Sequence, residues 1–145
     1  MKKIVALASD HAGFKLKESL KKYVETKGYE IVDLGPYTDL NPESYAKQGK
    51  KLAEYILANQ PDFSIGVCGT GLGISYALNR HKHIRAARVT SLEDGHLAKQ
   101  HNNANVIVFG GRQIEESKAK EILDEYINTK YEGGRHQKRI DELDE

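Results

Sequence analysis

The stretch Phe63-Ser64-Ile65-Gly66-Val67-Cys68-Gly69-Thr70-Gly71-Leu72-Gly73-Ile74 decides how this chain is read. A short apolar run, Phe63 to Val67, leads through Cys68 into three alternating glycines. A strand that enters such a loop leaves several backbone N–H groups free and close together, a geometry that binds anions. Cys68 is the only cysteine in the chain. Bare N–H dipoles favour a thiolate, so one segment can supply a base or nucleophile together with a pocket for negative charge. The plainer reading of the same residues is a buried structural cysteine beside a tight turn.

Outward from this segment, short β-branched runs alternate with helical patterns. Ile4 to Leu7 reads as a buried strand, followed by a polar loop, Ser9-Asp10-His11-Ala12-Gly13. Leu16, Leu20, Tyr23 and Val24 then fall on one helical face, and Gly28 is a natural C-terminal stop. Ile31 to Leu34 is a second strand, and Tyr45, Gly49, Leu52, Ala53, Ile56 and Leu57 mark a second helix. A short helix starts near Gly73, and Ile84 to Val89 is a fourth strand. Ser91-Leu92-Glu93-Asp94 has the form of a capping box with Asp for Glu. Val106 to Phe109 is a fifth strand, and Ala119, Ile122, Leu123, Tyr126 and Ile127 line a last long helix. This alternation predicts an α/β fold, a parallel sheet with helices on both faces. Ligands of such sheets bind beyond the carboxyl ends of the strands. Asp10, His11, Cys68, the glycine loop and Arg112 all follow strands, so they are expected at one edge.

Composition narrows the function classes. The chain has 145 residues, which suits one domain over 1–145 with a real core. Charged residues make up 30% and the net charge is +1, so nothing calls for nucleic acid or an acidic membrane as a partner. A single cysteine excludes an internal disulfide framework and fits a reducing cytosol. The apolar run after Lys3 has five residues, too short for a signal peptide's core. No segment is long enough to span a bilayer. A soluble, cytoplasmic protein is expected.

The familiar glycine motifs do not fit the loop. A dinucleotide fingerprint needs a glycine where Ile74 stands. A P-loop needs Gly-Lys-Ser/Thr, and a cysteine-dependent phosphatase loop needs an arginine where Ile74 again stands. What remains is a nest of N–H groups beside a thiol, suited to an enediolate or a tetrahedral oxyanion. Preorganised donors of this kind contribute about 3–4 kcal/mol each to a transition state.

Other candidates carry two readings each. Asp10-His11 is either a polar pair facing a sugar hydroxyl or phosphate, or a helix cap. His101-Asn102 ends a helix, where histidine favours the dipole, and His101 is equally a candidate general acid–base. His81-Lys82-His83 has the look of metal ligands but lacks a Cys, Asp or third His nearby in the sequence, so no metal is expected there. In Gly133-Gly134-Arg135-His136-Gln137-Lys138-Arg139, Arg135 and Arg139 are four apart, on one helix face. Two guanidiniums so placed suit a phosphate, while a solvated charge run is the ordinary alternative. The glycine pair before them is a hinge that lays the tail on another surface.

Five segments together carry a resemblance. They are Ser9-Asp10-His11-Ala12-Gly13-Phe14, Cys68 to Ser75, His101 to Val106, Gly110-Gly111-Arg112, and Tyr131-Glu132-Gly133-Gly134-Arg135-His136-Gln137. In this order the chain resembles the B-type ribose-5-phosphate isomerases, a family that includes the galactose-6-phosphate isomerase subunits. The resemblance implies a Rossmann-like α/β/α sandwich with a parallel sheet of about five strands. It implies a homodimer with shared active sites, its tail from about residue 131 crossing the interface. It also implies cofactor-free, metal-free interconversion of D-ribose 5-phosphate and D-ribulose 5-phosphate in the pentose phosphate pathway. Cys68 matches the base that moves a proton between C2 and C1. Gly69, Thr70, Gly71, Leu72 and Gly73 match the anion hole, and His101 matches the residue that opens the furanose ring. Asp10, His11 and Asn102 match substrate contacts, and Arg112, Arg135 and Arg139 match phosphate or substrate ligands. Ser75-Tyr76 places the chain in the cysteine branch of the family, and Asn41-Pro42 stands where many members carry Tyr-Pro. Alternative expectations are an isomerase of allose or galactose 6-phosphate, or a non-catalytic sugar-phosphate-binding protein.

Overall fold

The computed structural model describes residues 2–145. Its strands are β1 (Ile4–Ser9), β2 (Glu30–Asp33), β3 (Phe63–Cys68), β4 (Ala86–Arg88) and β5 (Val106–Gly110). Its helices are α1 (Phe14–Thr26), α2 (Tyr45–Asn59), α3 (Leu72–Asn79), α4 (Leu92–Gln100), α5 (Glu116–Asn128) and α6 (Arg135–Glu142). All strand pairs are parallel, in the order β2-β1-β3-β5-β4. This is the expected Rossmann-like three-layer sandwich.

The two helical layers follow from the alternation of side chains along the strands. Val5, Leu7, Phe63, Ile65, Val67, Ile107 and Phe109 face one layer, where Leu16, Leu20 and Val24 of α1 and Ala119, Ile122 and Leu123 of α5 pack. Ala6, Ala8, Cys68, Val106 and Val108 face the other, against Leu52, Ala53 and Ile56 of α2 and Ile74 and Leu78 of α3. From β1 the chain crosses to one side of the sheet, and from β3 it crosses to the other. The reversal falls between β1 and β3, and their carboxyl ends bracket the crevice where ligands of such sheets sit.

Three features add to or adjust the sequence reading. β4 is shorter than residues 84–89, because the Ile84 N–H turns back to the His81 carbonyl at 3.2 Å. The segment after Gly133-Gly134 is a complete helix, α6, with His136 and Ile140 buried. Lys17 lies on the apolar side of α1 and is fully buried. Its ammonium reaches Asp33 at 2.8 and 2.9 Å and Glu18 at 2.9 Å, and Lys21 joins Asp33 at 2.8 Å. Burial alone would raise the Asp33 pKa, but hydrogen bonds from Lys17, Lys21 and the Gly35 N–H outweigh it and hold the carboxyl below its ordinary value.

Candidate active site

At the carboxyl end of the sheet, three loops meet. The β1–α1 loop carries Asp10 and His11, the β3–α3 loop carries Cys68 to Gly71, and the β5–α5 loop carries Gly111 and Arg112. The Gly111 and Arg112 N–H groups donate to the Cys68 and Gly69 carbonyls at 2.8 and 3.0 Å. A Cβ on Gly110 would lie 2.7 Å from the Thr70 carbonyl carbon, so only glycine lets these two loops touch.

Cys68 ends β3 with its side chain in the α2–α3 core layer, 3% exposed. Gly71 takes φ +79°, a left-handed conformation that starts α3 immediately after the strand. The Thr70 hydroxyl accepts the Leu72 N–H at 3.1 Å, so that donor is already engaged. Among the described residues, the N–H groups of Thr70, Gly71, Gly73 and Ile74 have no protein acceptor. They form a donor nest at the N-terminus of α3, directly after the thiol.

The surrounding polar groups are held in place. Asp10 is buried and its Oδ1 accepts the Gly13 N–H at 2.9 Å; Gly13 itself is the N-cap of α1 and has no side-chain cap, so Asp10 orders the turn before the helix rather than capping it. His11 Nδ1 accepts the Glu43 N–H at 3.0 Å, which assigns the proton to Nε2 and leaves that edge as a donor. Arg112 stacks against Gly69, its guanidinium 3.5 Å from where a Cβ would stand. Arg88, at the end of β4, was not singled out in the sequence. Its Nε donates to the Thr70 carbonyl at 2.8 Å and its Nη2 to Gln113 at 2.8 Å. By tying down that carbonyl, Arg88 orients the peptide whose neighbours carry the free N–H groups. An arginine inside a short predicted strand was the available signal.

A second polar group lies at the other end of the sheet. His101 closes α4, which runs back from the carboxyl edge toward the start of β5. Val106 pairs with Ser64 while Gly110 pairs with Cys68. The four residue steps between those pairs span about 13 Å along the strand, and His101 precedes Val106. His101 and Asn102 are therefore not brought to the Cys68 loop of the same chain. Arg85 fixes their turn, donating from Nε to the Asn102 and Asn103 carbonyls, both at 3.1 Å. Burial and the nearby Arg85 charge push the Lys99 ammonium below its ordinary pKa.

The tail joins this second group. The Glu132 N–H donates to the Gln100 carbonyl at 2.9 Å, and the His136 ring stacks on His101 with centroids 4.4 Å apart. Gly133 and Gly134 both take positive φ, and the turn they make folds α6 against the end of α4. Arg135 and Arg139 stand exposed on α6 beside it. The His81–His83 segment meets an aspartate after all, since Asp144 from the chain's end comes within 3.3 Å of His83. The His81 ring instead meets the Ala77 carbonyl at 3.2 Å.

The residues expected at a site thus fall into two groups at opposite ends of one sheet. One has a thiol and a donor nest; the other has a histidine, an asparagine and two arginines. Among the described residues, no helix is long and apolar enough to cross a membrane.

Known proteins share this fold. The chain is 36% identical to the ribose-5-phosphate isomerase B of Escherichia coli, covering 99% of this chain and 95% of that one. A ribose 5-phosphate isomerase from Thermotoga maritima superposes with a TM-score of 0.95 at 44% identity, covering 99% of both chains. The Mycoplasma genitalium ribose-5-phosphate isomerase B, whose structure holds ribulose 5-phosphate, superposes with a TM-score of 0.91 at 39% identity, covering 99% of this chain and 95% of that one. Residues 5–143, nearly the whole chain, match the ribose/galactose isomerase family, and this chain belongs to that family.

Proposed function

We propose that the chain is an aldose–ketose isomerase that interconverts D-ribose 5-phosphate and D-ribulose 5-phosphate, working in the cytoplasm as a homodimer. The observation that carries the reading is a buried thiol at the switch point of the sheet, followed directly by a nest of free N–H donors. Proton transfer next to a carbonyl needs both: a base for the C2 proton and donors for the oxygen that becomes negative.

In this reading the Cys68 thiolate removes the C2 proton of the open-chain aldose. The C2–H electron pair forms the C1–C2 double bond, and the carbonyl π pair moves to O1. The N–H groups around Thr70, Gly71 and Gly73 hold that charge. Cys68 returns the proton to C1, and the O2 proton passes to O1 to leave the ketose. Asp10, the His11 Nε2–H and Asn102 position hydroxyls. His101 moves a proton between the ring oxygen and the C1 hydroxyl to open the furanose. Arg135 and Arg139, with Arg112, hold the phosphate, whose binding energy positions the reacting carbon.

The half-sites also support the dimer. A two-fold pairing sets the same surfaces against each other twice. The Cys68 end of one chain then meets the His101 end of its partner, with the tail from about residue 131 at the interface, and two whole sites result. Leu72 and Tyr76, one turn apart on α3 and exposed, offer an apolar face for that contact.

A coupled assay of purified protein with ribose 5-phosphate, allose 6-phosphate and galactose 6-phosphate tests this function. Turnover of the pentose, lost in Cys68→Ser while ribose 5-phosphate still binds, is the expected result. Turnover confined to a hexose phosphate, binding without turnover, or full activity in Cys68→Ser would refute it.

A further inference from the structure

The tail half-site contains two side chains that isomerisation does not use. Glu132 and His136 stand against His101, and all three donor atoms lie within 4.8 Å of one another. One Glu132 oxygen is engaged by the Arg135 guanidinium at 3.2 Å. The other, Oε2, faces His101 Nε2 at 3.9 Å and His136 Nε2 at 3.6 Å. The two imidazoles are nearly parallel, 17° apart. His136 is almost wholly buried, its side chain 9% exposed, and its Nε2 has no hydrogen-bond partner among the described residues. A buried ring nitrogen beside a carboxylate, with a second imidazole stacked on its ring and a hydrogen bond to neither, has its bonding capacity unused.

We propose that His101, Glu132 and His136 bind a divalent transition-metal ion of the zinc class, and that the bound ion takes His101 out of isomerisation. The second half rests on the role given to His101 above. Two imidazole nitrogens and a carboxylate oxygen are the donor set of a three-ligand zinc site with an open fourth position. Such a set disfavours magnesium and calcium, which demand mostly oxygen ligands. Zinc–nitrogen bonds of about 2.0–2.1 Å require the donors to draw in by roughly 1 Å. Side-chain rotation of Glu132 and His101, both partly exposed, supplies that movement. The backbone is already fixed by the Glu132–Gln100 hydrogen bond. The exposed sides of Glu132 and His101 also give the ion its way in, and a water completes its coordination. Once His101 Nε2 holds the ion it can no longer carry a proton, so the metal inhibits rather than assists.

Calorimetric titration of the metal-stripped full-length protein with Zn²⁺ decides the first half. The expected result is one equivalent per chain, with binding at least tenfold weaker in Glu132→Gln and in His136→Gln. Binding is expected unchanged in Cys68→Ser, which removes the other soft ligand, and no comparable heat is expected from Mg²⁺. Glu132 is exposed, so its variant reports on the site even if His136→Gln fails to fold. Wild-type binding that persists in Glu132→Gln, or no binding at all, overturns the site. Turnover with chelator and with saturating Zn²⁺ then tests the second half. Undiminished turnover with zinc bound overturns the inhibition. A chain inactive even in chelator refutes the isomerase reading instead, and the calorimetry still decides the site.

Discussion

If catalysis requires the Cys68 end of one chain and the His101 end of another, two inactive variants can repair each other. Cys68→Ser damages only the carboxyl-end half-site, and His101→Asn damages only the opposite one. Each homodimer is then inactive at both sites. In a mixed dimer, one site combines both lesions and the other combines two intact halves. Random re-pairing of equal amounts makes half of the dimers mixed, and half of their sites whole, so about one quarter of wild-type activity returns. The distance makes this test sharp: the two groups are set at opposite ends of strands about 13 Å or more in length, beyond the reach of side-chain rotation. The assay is pentose phosphate isomerisation after the two variants are mixed, partly unfolded and refolded together, with each variant carried through alone as a control. Unmixed variants stay at background. Recovery near zero in a mixture whose dimers have exchanged would refute the shared-site reasoning, because a site built within one chain cannot be complemented.

Four further outcomes follow from the geometry. Asp33→Asn leaves the buried Lys17 paired with Glu18 alone and is expected to cost about 1.5–3 kcal/mol, read as a lower midpoint in urea unfolding. The Asp33 and Glu18 carboxyls titrate below their ordinary values, Glu18 because its bonds to Lys17 and Lys21 outweigh its burial. Their stabilisation is therefore complete above the unfolded carboxylate pKa and is lost as pH falls through the lowered folded values; Tm is expected to drop on acidification below about pH 4, with a shallower drop in Asp33→Asn. Arg88→Ala frees the Thr70 carbonyl from a charged hydrogen bond of about 1.5–3 kcal/mol, and kcat is expected to fall about 10- to 100-fold with little change in KM. Arg139→Ala is expected to raise KM at least tenfold while kcat changes less, and an unchanged KM would remove it from phosphate binding.

Much of this molecule is legible in its sequence because its physics is local. Five apolar runs separated by helical faces dictate a parallel sheet, and Cys68 with its glycines must follow the third strand. The rule that places Asp10, Cys68 and Arg112 at one edge also places His101 at the other, since a residue that closes a crossover helix lies where the next strand begins. Lys17 is less legible: a lysine on a helix reads as solvated, and it takes the tertiary placement of Asp33, beside the neighbouring Glu18, to make its burial tolerable. Arg85 and Arg88 escape notice for a related reason. Their work is done on backbone carbonyls far away in sequence, and no motif spacing records such a bond. The ring stack of His101 and His136 depends on two positive-φ glycines, and the glycine pair alone does not say where the tail will land.

The separation of the two half-sites also bears on inheritance. After gene duplication, one copy could lose its thiol and the other its histidine, and neither loss would be lethal so long as the copies paired. Each would keep one working end, and a single site per pair would survive. From that point the two ends are free to diverge separately, one toward the chemistry and the other toward the shape of the sugar. A chain that carries its two halves apart is thus already divided along the line where specialisation can begin.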